Sequence, residues 1–121
     1  LKRFTLEGKY LSTIQFSNIW NCRPVVNGDN IYIAVLKCSP DLDWKWDQIK
    51  GGVIILDKNN TVVSGLGITK PTYTDGKMQP VTQNFEPFQF PHDVCIDDEQ
   101  NLYITQWNSG KVYPYKFQRI S

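Results

Sequence analysis

Two seven-residue runs share one pattern: "NIYIAVL", from Asn30 to Leu36, and "NLYITQW", from Asn101 to Trp107. Each follows a polar turn, and each is preceded by a β-rich run, "RPVV" in one case and "DVCI" in the other. A second pair, "FTLEGKYLS" (Phe4 to Ser12) and "LDKNNTVVS" (Leu56 to Ser64), matches in turn placement and in the apolar pair after it. No segment holds a helical period over three turns. The apolar residues come in short period-two runs bounded by Gly, Asn, Asp and Pro, which is the pattern of β-strands. Recurrence at this spacing constrains the fold most, because one such unit cannot bury its own faces and must stack on neighbours.

The turns divide the chain into hairpins. "KRFTLEGKYLSTI" reads as two strands around Glu7-Gly8, and "RPVVNGDNIYIAVL" as two strands around Asn27-Gly28. Asn-Gly between apolar runs is a strong hairpin signal, because both residues tolerate positive φ. "GGVIILDKNNTVVSGL" turns at Lys58-Asn59-Asn60, and "HDVCIDDEQNLYITQW" turns from Asp97 to Gln100. "KVYPYKFQRI" reads as a last strand in which Pro114 marks an edge, a bulge or a kink, since Pro donates no ladder hydrogen bond. A high aromatic content, with four Trp, six Tyr and six Phe, agrees with packed sheets.

In strand letters the chain runs c-d, then a-b-c-d, then a-b-c. Sequential four-stranded antiparallel units are the blades of a β-propeller. The expected fold is therefore all-β, a partial propeller in three parts joined by a long loop. Residues 1–15 form strands c-d of one blade, and 22–67 form a whole blade. Residues 68–91 form the connecting loop, and 92–121 form strands a-c of the last blade. Roughly two and a half blades cannot close a ring, so the remaining blades are expected from a longer parent chain or from another chain. The missing last d strand fits closure by an N-terminal strand, which makes this the expected C-terminal part of a larger propeller. The chain opens on Leu1 with no signal-peptide pattern, as a processed or cut chain does.

Two segments interrupt the repeat: "KCSPDLDWKWDQIKGG" (Lys37 to Gly52) and "ITKPTYTDGKMQPVTQNFEPFQFP" (Ile68 to Pro91), the latter holding four of the seven prolines. Long connections in compact domains tend to be functional. In a propeller both would emerge on one face, the expected binding face. A formal net charge of +1 gives no footprint for nucleic acid, and apolar runs such as "IYIAVL" are far shorter than a membrane span. Three cysteines, Cys22, Cys38 and Cys95, lack metal-binding spacing. Either Cys22 and Cys38 form a bridge, or all three are small buried hydrophobes.

"FPHDVCIDDEQNLYITQWNSGKVYPYKF" (Phe90 to Phe117) resembles an NHL repeat. The resemblance rests on Pro91, Val94-Cys95-Ile96, Asp97-Asp98, Asn101-Leu102-Tyr103-Ile104, Asn108-Ser109-Gly110 and Lys111-Val112. The sequence departs from the repeat at Asp93 and at Glu99-Gln100, where glycines are usual, and at Gln106-Trp107, where an acidic residue is usual. The resemblance implies a six-bladed propeller that binds a peptide, protein or glycan ligand, and by fold-level analogy an extracellular or periplasmic setting. NHL-like propellers include peptidyl-hydroxyglycine amidating lyases, in which a Pro-His at the mouth of strand a helps hold zinc. His92 matches that position, so the resemblance also implies a metal-dependent lyase or hydrolase as the alternative function.

The site candidates follow. His92 is the only histidine. It is either a metal ligand or channel base, or an imidazole bonded to backbone, and one His cannot by itself complete a three-ligand zinc site. In "DLDWKWD", Asp41, Asp43 and Asp47 offer oxygens suited to calcium, without the glycine and distal Glu of an EF-hand loop. Trp44 and Trp46 offer faces for a sugar or a peptide, or one of them anchors the loop. Arg23 either points into the channel mouth to meet a carboxylate or pairs with a neighbouring Asp. Trp107 stands near the binding face, where it either meets ligand or packs between blades, as does Tyr113. The acidic "IDDEQ" reads as a solvated turn. No nucleophile motif is present.

Overall fold

The computed structural model describes residues 1–38 and 50–120, and none of these is helical. Among the described residues, therefore, no helix is long and apolar enough to cross a membrane. The period-two runs form β1 (Lys2–Phe4), β2 (Tyr10–Thr13), β3 (Ile19–Asn27), β4 (Asn30–Cys38), β5 (Gly52–Leu56) and β6 (Val62–Leu66). They continue as β7 (Tyr73–Thr74), β8 (Lys77–Met78), β9 (Pro91–Ile96), β10 (Leu102–Gln106) and β11 (Tyr115–Phe117). All pairings are antiparallel. β3-β4-β5-β6 form a four-stranded meander, β9-β10-β11 a three-stranded one, and β1-β2 and β7-β8 separate hairpins.

One turn geometry recurs three times. Thr5, Asp57 and Asp97 each donate their backbone N–H to the carbonyl four residues on, at 2.8, 2.9 and 3.1 Å. Each accepts, at its own carbonyl, the N–H of the residue three on, namely Gly8, Asn60 and Gln100. Each also accepts, through a side-chain oxygen, the N–H four on, at 3.2, 2.9 and 2.8 Å. The residue three on has positive φ every time: +85° at Gly8, +63° at Asn60 and +68° at Gln100. Gln100 thus takes the left-handed conformation without being a glycine. Asp97 also accepts from Asn101 Nδ2 (2.9 Å) and the Tyr103 hydroxyl (3.0 Å). The Asn101 side chain contributes most to holding its carboxyl below the usual range. This contribution is full above the ordinary carboxylate pKa and fades as acid protonates Asp97.

The inner strands β4 and β5 of the four-stranded sheet are buried on both faces. Register puts Ile33 opposite Ile54, and Ile31 opposite Leu56. This face, with Val35 and Val62, joins a core completed by Ile68, Met78 and Val81, with Leu1, Ile14 and Phe16 against it. The other face carries Tyr32, Ala34, Val53 and Leu66, and meets Val94, Ile104, Phe85 and Phe88 in a second core. Ile33, Ala34, Val53 and Ile54 are all wholly inaccessible, so adjacent positions on one strand are buried against different layers. Full burial of one such aliphatic side chain stabilises by about 1.5–3 kcal/mol relative to exposure.

The long connection 68–91 is part of this core and carries its own hairpin. Asp75 (φ +50°) and Gly76 (φ +73°) both have positive φ, as a two-residue type I′ loop requires, and they join β7 to β8. Buried Asn18 clamps the segment by donating to the Val81 carbonyl and accepting the Val81 N–H, both at 3.0 Å. Gln83 Nε2 donates to the carbonyls of Gly51 (3.1 Å) and Phe88 (2.8 Å). Within this connection Met78, Val81 and Phe88 fill core volume.

Two further details differ from expectation. Asn27 pairs with Asn30, so the loop residues are Gly28 and Asp29, with Gly28 supplying the positive φ of +58°. The last strand begins only at Tyr115. Lys111 has φ +66°, and Tyr113 is 90% exposed rather than packed between sheets. Pro114 cannot donate to the ladder, and it restricts the residue before it, so pairing starts beyond it.

Gly67 combines a left-handed backbone with close packing. Its φ is +73°, and a Cβ there would clash with the Phe88 ring. Gly67→Ala is expected to lower stability by about 2 kcal/mol. Gly76→Ala, with equal φ but open space around it, is expected to cost about half as much. Urea-unfolding midpoints at unchanged slope would measure both. Equal losses would contradict the Gly67–Phe88 contact.

Candidate functional site

The start of β9 and the end of β10 form the most chemically varied surface near the expected binding face. Asp93 pairs with Thr105 but Pro91 with Gln106, which leaves His92 in a bulge without a register partner. The bulge frees His92 from the sheet's alternation, and the side chain is exposed. Phe90, with φ +53°, accepts the Trp107 N–H at its carbonyl (3.0 Å). The Trp107 ring meets Phe90 edge-on at 5.8 Å between centroids and lies 6.5 Å from the His92 ring. Trp107 remains 46% exposed above the buried Phe90, so Trp107 and the exposed His92 present a small aromatic surface with one polar member. Beneath it, the Gln106 side-chain carbonyl accepts the Gln89 N–H. Its Nε2 is the one buried side-chain polar atom without a partner among the described residues.

Arg23 does not offer an uncommitted guanidinium. Its Nη2 and Nε donate to Asp93 Oδ2 at 2.8 and 3.3 Å, while Asp93 Oδ1 accepts the Val94 N–H at 2.9 Å. This clasp joins β3 to β9. Its side chains are 67% and 36% exposed, so it contributes little to stability and mainly sets alignment. Of the two readings of Arg23, the pairing with a neighbouring Asp is the one observed.

Among the described residues, no group of three or more His, Cys, Asp and Glu side chains is placed to hold a metal ion. His92 has an aromatic neighbour, and the adjacent Asp93 is engaged by Arg23. A zinc ion at His92 would therefore need ligands from beyond these residues. Trp44 and Trp46, and the calcium reading of Asp41, Asp43 and Asp47, lie outside the described residues.

The cysteines are not bridged. Register puts Cys38 opposite Ile19, beyond reach of Cys22 on the same strand as Ile19. Cys38 is buried, and its thiol donates to the Lys50 carbonyl (3.2 Å). Burial pushes that thiol up to about 11. Burial likewise raises Cys22. Cys95 is exposed on the outer face of β9. The expectation of three buried cysteines therefore holds for Cys38 and fails for Cys95.

One feature escaped the sequence reading. A cavity of about 280 Å³ opens between the two larger sheets at their turn end, lined in part by Tyr32, Gln100, Leu102, Phe117 and Arg119. No local motif marks it, because its walls come from residues up to 89 positions apart, Asn30 to Arg119.

No protein-family model matches the chain, and neither a curated protein nor a solved structure matches it. Fold and site together define an all-β chain of stacked antiparallel sheets with an aromatic, histidine-bearing surface at one end.

Cysteine accessibility gives a direct check. A thiol reagent at pH 8 should modify Cys95 in the folded protein and leave Cys38 untouched until denaturant is added. Peptide mapping that found Cys38 labelled as fast as Cys95 would contradict the packing of β4 against Lys50.

Proposed function

We propose that the chain is the C-terminal part of an NHL-like, six-bladed β-propeller, and that it serves as a scaffold binding a peptide, protein or glycan. Ligand binds on the face formed by the long connections together with the start of β9. The observation that carries the reading is the order of the layers. In the four-stranded sheet, the face with Ile31 and Ile33 is covered by earlier segments and by residues 68–81, and the face with Tyr32 and Ala34 by the β9-β10-β11 sheet. The last sheet repeats the first half of this arrangement: Leu102 and Ile104 face the preceding sheet. Its Tyr103, register partner of Cys95 and Lys116, lies on the opposite face. That face, equivalent to Tyr32 and Ala34, is where a following blade would stack. Phe4, Tyr10 and Leu11, each more than half exposed on β1-β2, mark the other end of the same array.

Trp107 is the residue on which ligand binding is expected to depend, since a half-exposed Trp against a second aromatic suits a hot spot. In the intact protein, Trp107→Ala should weaken a ligand found on a peptide or glycan array at least tenfold. Undiminished binding would overturn the placement of the face. The alternative, a metal-dependent lyase or hydrolase, is favoured by the exposed His92 in its bulge. It predicts stoichiometric zinc that is lost in His92→Ala, and unchanged metal content would end it.

A further inference from the structure

We propose that the cavity between the four-stranded and three-stranded sheets binds a small organic carboxylate carried on an apolar group. This site lies at the turn end of the sheets, away from His92 and Trp107, and the inference does not depend on the propeller reading. The cavity measures about 280 Å³, slightly below the range of drug-sized pockets. Ile55 of the central sheet and Leu102 and Phe117 of the last sheet supply apolar wall, and Tyr32 adds an aromatic face.

The polar lining is one-sided. The lining residues include Arg119 and the amide residues Asn30, Gln100 and Gln118, and no Asp or Glu. Arg119 takes no part in an ion pair among the described residues, where Arg23–Asp93 is the ion pair found. Gln100 is fixed twice: its backbone N–H donates to the Asp97 carbonyl at 2.9 Å, and its side-chain carbonyl accepts Asn27 Nδ2 at 2.7 Å. With that carbonyl engaged, the amide NH₂ is the group left to donate to a guest. An arginine with its charge unmatched, an amide donor and an apolar wall complement one carboxylate on one compact hydrophobic group. Arg binds carboxylates through paired N–H groups, and aromatic faces take the apolar body. A free acid and the C-terminus of a peptide ending in an apolar residue share this chemistry.

Calorimetric titration of the full chain tests the inference with four probes: phenylacetate, 2-phenylethanol, N-acetyl-alanyl-phenylalanine, and the C-terminal amide of that dipeptide. At least one carboxylate should bind with Kd below about 1 mM. Its uncharged counterpart should bind at least tenfold more weakly, because it leaves the guanidinium unmatched. Arg119→Gln, on an exposed side chain, should cost about tenfold without altering the unfolding midpoint. Preference for phenylacetate would identify a free acid as the source, and preference for the dipeptide a peptide terminus. Failure of both carboxylates to bind, equal binding of charged and uncharged partners, or unchanged affinity in Arg119→Gln would overturn the proposal.

Discussion

The structure depends on the burial of β4 and β5 from both sides. Neighbouring residues Ile33 and Ala34 are each wholly inaccessible, yet they face different layers. A half-solvated sheet would show polar residues on alternate positions, whereas "IYIAVL" is apolar throughout. Everything else is arranged to supply the two covers. Leu1, Ile14 and Phe16 with the β7-β8 hairpin form one, and the β9-β10-β11 sheet with Phe85 and Phe88 forms the other. Phe88 meets Tyr115 at 5.8 Å and Phe117 at 5.6 Å, so the 68–91 segment also fastens the last sheet.

The turns explain why these strands hold register. A slip of one residue would exchange the two faces of every strand. The triple hydrogen-bond pattern at Thr5, Asp57 and Asp97 fixes the phase of each hairpin at its tip. The same fixing locates Gln100 at the mouth of the turn-end cavity. At the opposite end, the bulge at His92 and the left-handed Phe90 turn side chains out of the sheet and toward Trp107. Regular pairing thus ends at both tips in places where side chains leave the sheet.

Much of the fold was legible in the sequence, because strand period and turn chemistry are local. Asn27-Gly28, Lys58-Asn59-Asn60 and the run from Asp97 to Gln100 each announced a hairpin. Asp75-Gly76 carried the same signal, but prolines at 71, 80, 87 and 91 made its surroundings read as a plain loop. What lay beyond local reading was which apolar face meets which layer, since both faces of β4 are hydrophobic. The candidate site was half legible. His92 and Trp107 stood out by residue type, but their contact, the engagement of Arg23 by Asp93 seventy positions away, and the turn-end cavity all arise from tertiary packing.

Native-state hydrogen exchange tests the doubly covered central sheet most directly. The amides of Ile33 and Ile54 should be among the slowest to exchange, opening only with global unfolding, while those of β1, β2 and β11 open earlier. If Ile33 and Ile54 exchanged as fast as Tyr115 or Phe117, the central sheet would not be the core of this chain, and the layered account would fail.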